Sequence, residues 1–109
     1  MVKIVYNACY GGFGLSDEAV EMYLNLKNFE YTKVKDRWGT HYAVKGFNNF
    51  YDRRDIPRAD PVLVHVVEAL GEKANGECAK LEIEDLPKGT LYRITEYDGY
   101  ETIETKEDI

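Results

Sequence analysis

A length of 109 residues, 44% of them apolar, suits one domain over 1–109 whose core buries roughly two-thirds of the unfolded surface, and no second domain is expected. No run of about 18 apolar residues exists to cross a bilayer, and the net charge of −6 argues against long nucleic acid, which needs a broad basic face. The opening Met1-Val2-Lys3-Ile4-Val5-Tyr6 lacks the apolar stretch and cleavage site of a secretory signal, so a cytoplasmic protein is expected, with Cys9 and Cys78 as reduced thiols.

The branched alternation of 2–6 predicts a short strand. Asn7-Ala8-Cys9-Tyr10-Gly11-Gly12-Phe13-Gly14 then places three glycines within four residues, which predicts a shaped loop. Ser16 is a suitable N-cap, and Ala19, Met22, Leu26 and Phe29 recur at helical spacing, so a helix is predicted over 17–28. Residues 31–35 and 40–45 read as strands joined by Asp36-Arg37-Trp38-Gly39. Residues 46–59 show neither period and read as a long loop. Asp60 as N-cap, Pro61 at the first helical position and Gly71 after Leu70 bound a second helix, mostly buried because only His65 and Glu68 interrupt its apolar residues; its valines leave a strand as the minority reading.

Ala79, Leu81 and Ile83 alternate with Lys80, Glu82 and Glu84 as a half-buried strand, ended by Leu86-Pro87-Lys88-Gly89. Strands over 91–97 and 100–105 flank Asp98-Gly99, the strongest short hairpin signal, in a register that pairs Ile94 with Ile103 and Arg93 with Glu104. That register also opposes Glu96 and Glu101, which calls for a solvated tip, the default, or for a cation or partner. Residues 106–109 are expected to fray. The resulting fold class is α+β, a small antiparallel sheet built from strand one, the central hairpin and the C-terminal strands, with two helices packed on one face.

Charge is sorted along the chain. Residues 31–58 hold seven cations (Lys33, Lys35, Arg37, Lys45, Arg53, Arg54, Arg58), three acids and six aromatics, whereas residues 82–109 hold nine acids and three bases. Planar guanidinium forks beside stacking rings suit a ligand with phosphates and a ring. The candidate ligand residues are Arg53, Arg54 and Arg58 for phosphate, Tyr51 or Trp38 for stacking, Asn49 for a polar edge, and Tyr10, Gly11, Gly12 and Phe13 for the floor. Each has a plainer reading: Asp52, Asp55 and Asp60 can pair the arginines, the rings can be core anchors, and the glycines can form a tight turn. His41 and His65 have no partner at ligand spacing, so neither metal nor cofactor is expected. Cys9 as a nucleophile lacks an identifiable orienting group.

The stretches Asn7 to Ser16, Ile56-Pro57-Arg58-Ala59-Asp60-Pro61-Val62-Leu63-Val64, Val67-Glu68-Ala69-Leu70-Gly71 and Glu96-Tyr97-Asp98-Gly99-Tyr100-Glu101 resemble a family of small proteins encoded by tailed phages and prophages. With the strand at 79–83 the likeness covers most of the chain outside 30–54, and Tyr10, Gly11, Gly12, Phe13, Arg58, Asp60 and Pro61 carry it. What it implies is a setting, action on host processes including defence. The leading functional expectation is therefore a non-enzymatic binder that sequesters a small phosphorylated or nucleotide-like host signalling molecule, with a homo-oligomer able to build the pocket at a subunit interface. The alternative is a protein–protein inhibitor whose acidic C-terminal hairpin occupies a basic surface on a host protein. A nucleotide hydrolase is the weakest of the three.

Overall fold

Both helices begin where their capping residues stand. In the computed structural model, which describes residues 2–106, α1 (Asp17–Leu26) opens on Ser16, whose hydroxyl accepts the Ala19 amide at 3.1 Å. It closes two residues earlier than expected, because Lys27 caps it and Asn28 turns left-handed at φ 59°. The second helix, α2 (Pro61–Leu70), follows the Asp60 cap and ends at Gly71, after which a single 3-10 turn runs over Gly71–Ala74. Its valines do not make a strand, because the cap and Pro61 preset the first turn and burial of Leu63, Val64, Val66 and Val67 rewards one helical face.

The six strands are β1 (Val2–Asn7), β2 (Tyr31–Asp36), β3 (Gly39–Val44), β4 (Leu81–Leu86), β5 (Tyr92–Tyr97) and β6 (Tyr100–Thr105). The class is α+β and every pairing is antiparallel, but the strands form three two-stranded sheets, β1–β4, β2–β3 and β5–β6, instead of one. The β5–β6 register is the one read from the sequence, with Ile94 opposite Ile103, and its turn has Asp98 and Gly99 both at positive φ. In the central hairpin Asp36 pairs with Gly39, so the turn is shorter than expected: Asp36 accepts the Trp38 amide at 2.8 Å and leaves only Arg37 and Trp38 at the tip. Strand β4 starts at Leu81 and runs to Leu86, later than the alternation suggested. The expected frayed end lies outside the described residues except for Lys106, whose amide donates to Leu91 O at 3.0 Å.

The core lies where α1, α2, β1 and β3 meet, and combines Val5, Val20, Leu24, Tyr42, Val44, Leu63 and Val66 with their neighbours. Glu21 of α1 fastens the central hairpin by accepting from Lys33 (2.9 Å) and from the Tyr42 hydroxyl (2.8 Å). Lys33, helped by Tyr42, holds the Glu21 carboxyl below its ordinary value. Asp60 joins the two helices. One of its oxygens accepts the Val62 amide (2.8 Å), and the other accepts the Tyr23 hydroxyl (2.7 Å) and lies 3.2 Å from Lys27 Nζ. Burial alone would push its carboxyl up, but the Tyr23, Val62 and Lys27 contacts outweigh it and leave Asp60 below the ordinary aspartate value.

Asp60→Ala removes a cap and strands a buried phenol, so urea unfolding at neutral pH is expected to show a loss of about 2 kcal/mol. Because the folded carboxyl is depressed, its contribution is present above the unfolded value and lost as pH falls through the folded one. The stability gap between the native chain and Asp60→Asn should narrow over that acid range.

Candidate functional site

A cleft of about 560 Å³ opens between the glycine loop, β3 and the segment after it. It gathers four of the predicted ligand residues, Arg53, Arg54, Tyr51 and Phe13, and adds the stacked pair His41 and Phe50, whose ring centroids are 5.1 Å apart. The arginines stand on a 3-10 turn, Arg53–Asp55, that Asp52 initiates by accepting the Arg54 amide at 2.9 Å, the one regular element within the long loop expected over 46–59. Asp17, Asp52 and Glu77 also line the cleft, so carboxylates outnumber guanidinium groups there.

Each of the three candidate phosphate ligands is engaged. Arg53 donates to Asp17 at 2.9 Å, to Leu15 O at 3.0 Å and to Thr40 O at 3.4 Å, tying the start of α1 to β3. Arg54 grips Asp52 through two nitrogens at 3.1 and 3.2 Å, on a side chain that is 75% exposed. Arg58 does not itself line the cleft: it pairs with Glu101, and its guanidinium lies 3.5 Å from the centroid of the ring of Phe13, a cleft residue. The contacts anticipated from Asp55 and Asp60 are made instead by Asp17 and Glu101. Each of the three arginines has a carboxylate partner, and only the Arg54 pair is largely exposed.

The remaining candidates are dispersed. Trp38 is 76% exposed at the β2–β3 tip, with the Arg37 guanidinium 4.9 Å from its ring. Asn49 lines a neighbouring groove with Asn48, Phe47 and Asp55. Tyr51 lines both, but its ring also packs against Phe29 and Phe47, and burial pushes its hydroxyl up. The glycine loop is a backbone-packing device: a Cβ on Gly11 would stand 1.7 Å from Cys78 O, and one on Gly99 would stand 2.5 Å from Tyr10 O. Close approach accounts for Gly11 and Gly99, and a positive φ of 92° for Gly12.

The loop, the segment at Arg58 and the β5–β6 turn converge on Asn7, which is fully buried. Its amide donates to Glu101 Oε1 at 2.8 Å, its side-chain nitrogen donates to Cys9 O and Gly99 O, both at 2.8 Å, and its side-chain oxygen accepts the Lys80 amide at 2.8 Å. The same Glu101 oxygen receives Arg58. Residues from 7–16, 56–64 and 96–101 thus meet at one polar node. Sequence reasoning passed over Asn7, whose only signal was a polar residue closing an apolar strand. It did register the opposed Glu96 and Glu101: Glu101 meets a cation instead of the solvent taken as the default, and Glu96 turns to accept the Gly99 amide at 2.9 Å.

Around the node lies an uncovered aromatic face. Tyr10 (66% exposed) packs its ring 5.2 Å from that of Tyr100 (37%), and Tyr100 stands opposite Tyr97 (79%) across the hairpin. Tyr6, next to Tyr100, donates to Glu82 at 3.1 Å; burial, then that bond and the charges of Glu82 and Glu84, push its hydroxyl up to about 12, so it stays a donor at neutral pH. Glu96 and Asp98 are exposed beside Tyr97.

The single Cys9 S–H has Cys78 O (3.1 Å) and Asn7 Oδ1 (3.5 Å) within reach as acceptors, neutral amide oxygens that cannot take its proton as a base would. Among the described residues no group of three or more His, Cys, Asp or Glu is arranged to hold a metal ion, and no helix is long and apolar enough to cross a membrane. No family model matches the chain, and neither a curated protein nor a solved structure matches it.

Removing one partner of the buried pair leaves the other charge uncompensated, so Glu101→Ala should cost about 3 kcal/mol in chemical denaturation. The same variant should lose amide-exchange protection over 92–105 before any other segment does.

Proposed function

We propose that this chain is a non-enzymatic docking protein that uses its tyrosine–carboxylate face to bind a basic surface on another protein. One observation carries the reading: exposed Tyr10 and Tyr100 are in ring contact, Tyr97 stands opposite Tyr100 on the same face of the hairpin, and exposed Asp98 adjoins them in the turn. Tyrosine supplies large contact area with little side-chain entropy to lose, and is enriched at protein interfaces for that reason. Carboxylates around it steer a cationic partner and set its orientation. The resemblance to phage proteins supports a host protein as that partner, and inhibition of it as the outcome.

A photo-crosslinking amino acid at position 97 is expected to capture a protein with a basic surface, and the same probe at Lys73 should not. Affinity for the captured protein should fall about tenfold or more with Tyr97→Ala, and should weaken steeply with salt, less steeply after Asp98→Asn. A captured partner whose affinity ignores both substitutions and salt would refute the reading.

A second reading keeps a small phosphorylated or nucleotide-like molecule in the cleft. It rests on Arg54 alone, whose exposed, solvent-screened pair with Asp52 competes poorly with a phosphate, in the cleft that the His41–Phe50 stack also lines. Thermal-shift screening across nucleotides decides it: a rise in melting temperature that Arg54→Ala abolishes supports it, and an unresponsive protein sinks it.

A further inference from the structure

Cys9 and Cys78 are 69 positions apart in sequence, yet the Cys9 thiol lies 3.1 Å from the carbonyl oxygen of Cys78. Two features bring them together. The Ala8 amide donates to Lys80 O at 2.7 Å, so the two chain segments still run side by side beyond the β1–β4 ladder. Three residues further on, Gly11 allows the loop to press on Cys78 itself, since an added Cβ would stand 2.6 Å from the Cys78 Cβ. Both cysteines are free; Cys78 is exposed and Cys9 partly buried.

We propose that Cys9 and Cys78 are a redox-active dithiol that closes into an intramolecular disulfide in the presence of a low-molecular-weight disulfide such as oxidised glutathione. The exposed Cys78 thiolate attacks one glutathione sulfur, forming a mixed disulfide and expelling one glutathione thiolate. Cys9, its proton given up to solvent, then attacks Cys78 Sγ, forming the Cys9–Cys78 bond and expelling the second glutathione thiolate. Two protein thiols are oxidised, one disulfide is reduced to two thiols, and the two protons end on the released glutathiones. Cys9 is suited to the second step because its thiol already points at the Cys78 backbone, with Asn7 Oδ1 3.5 Å away on its other side.

The bond would fasten the loop that carries Tyr10 to the turn before β4 and close a long span of chain, which restricts the unfolded ensemble. The test uses the full chain incubated with oxidised glutathione. The expected product is a monomer lighter by two hydrogen atoms, whose non-reducing peptide map links the Cys9 and Cys78 peptides and which dithiothreitol reverses. Its melting temperature should rise by about 5 °C. Cys78→Ser, a change at an exposed side chain, should show neither the link nor the rise. A product that stops at glutathione adducts, a disulfide-linked dimer, or two thiols still titratable after treatment would each overturn the proposal.

Discussion

The carboxylate of Glu101 occupies a place that a neighbouring strand would normally fill. β1 gives one set of its amides to β4; of those pointing the other way, Val5 N donates to Arg58 O at 2.9 Å and Asn7 N to Glu101 Oε1 at 2.8 Å. An edge satisfied by one carbonyl and one side chain has no use for a third strand, which is why β6 lies against β1 without joining its ladder and the sheet stays two strands wide. Arg58 serves twice here: its carbonyl covers the edge, and its guanidinium neutralises the carboxylate that covers the rest.

This arrangement is what holds the C-terminal hairpin. None of its side chains belongs to the buried core cluster, and a lone two-stranded hairpin is marginal in water. Its attachment is polar, through Glu101 to Arg58 and Asn7, and by backbone contact where Gly99 meets the Tyr10–Gly12 segment. Low-dielectric surroundings make such a node strong when every member is satisfied and costly when one is removed. The Phe13 ring under the guanidinium adds an apolar wall and a cation–π contact. A hairpin held at its root and turn keeps its outward face, with Tyr97 and Tyr100, fixed in direction; a preorganised face loses less entropy on binding.

The elements that local rules govern were legible in the sequence. Ser16, Asp60 and Pro61 fixed two helix starts, Asp98-Gly99 fixed a hairpin and its register, and alternation located β4 to within a few residues. What the sequence could not show is which distant carboxylate a cation meets. Asp52, Asp55 and Asp60 were the nearest acids to the arginine cluster, yet Asp55 and Asp60 take neither Arg53 nor Arg58: the first crosses to Asp17 and the second to Glu101. Asp60 is committed instead to Tyr23, Lys27 and the first turn of α2, a role set by tertiary packing and not by proximity along the chain. The separation of β5–β6 from β1–β4 was equally hidden, because the Asn7 amide donates to the Glu101 side chain and not to a backbone carbonyl of β6.

The same pairings reverse the meaning of the basic window. Of its seven cations, Lys33, Lys45, Arg53, Arg54 and Arg58 form ion pairs with Glu21, Glu30, Asp17, Asp52 and Glu101, while Arg37 lies over Trp38. A local excess of +4 in sequence is thus largely spent on acids drawn from elsewhere in the chain. Those acids leave the surface account together with their partners, but the carboxylates of β4 and of the hairpin turn, Glu82, Glu84, Asp85 and Asp98, stay exposed. At physiological salt, screening over about 8 Å lets an approaching molecule sense only the nearest patch. The exposed carboxylates nearest the tyrosine face, Glu82 and Asp98, give it a local sign opposite to that of the basic window.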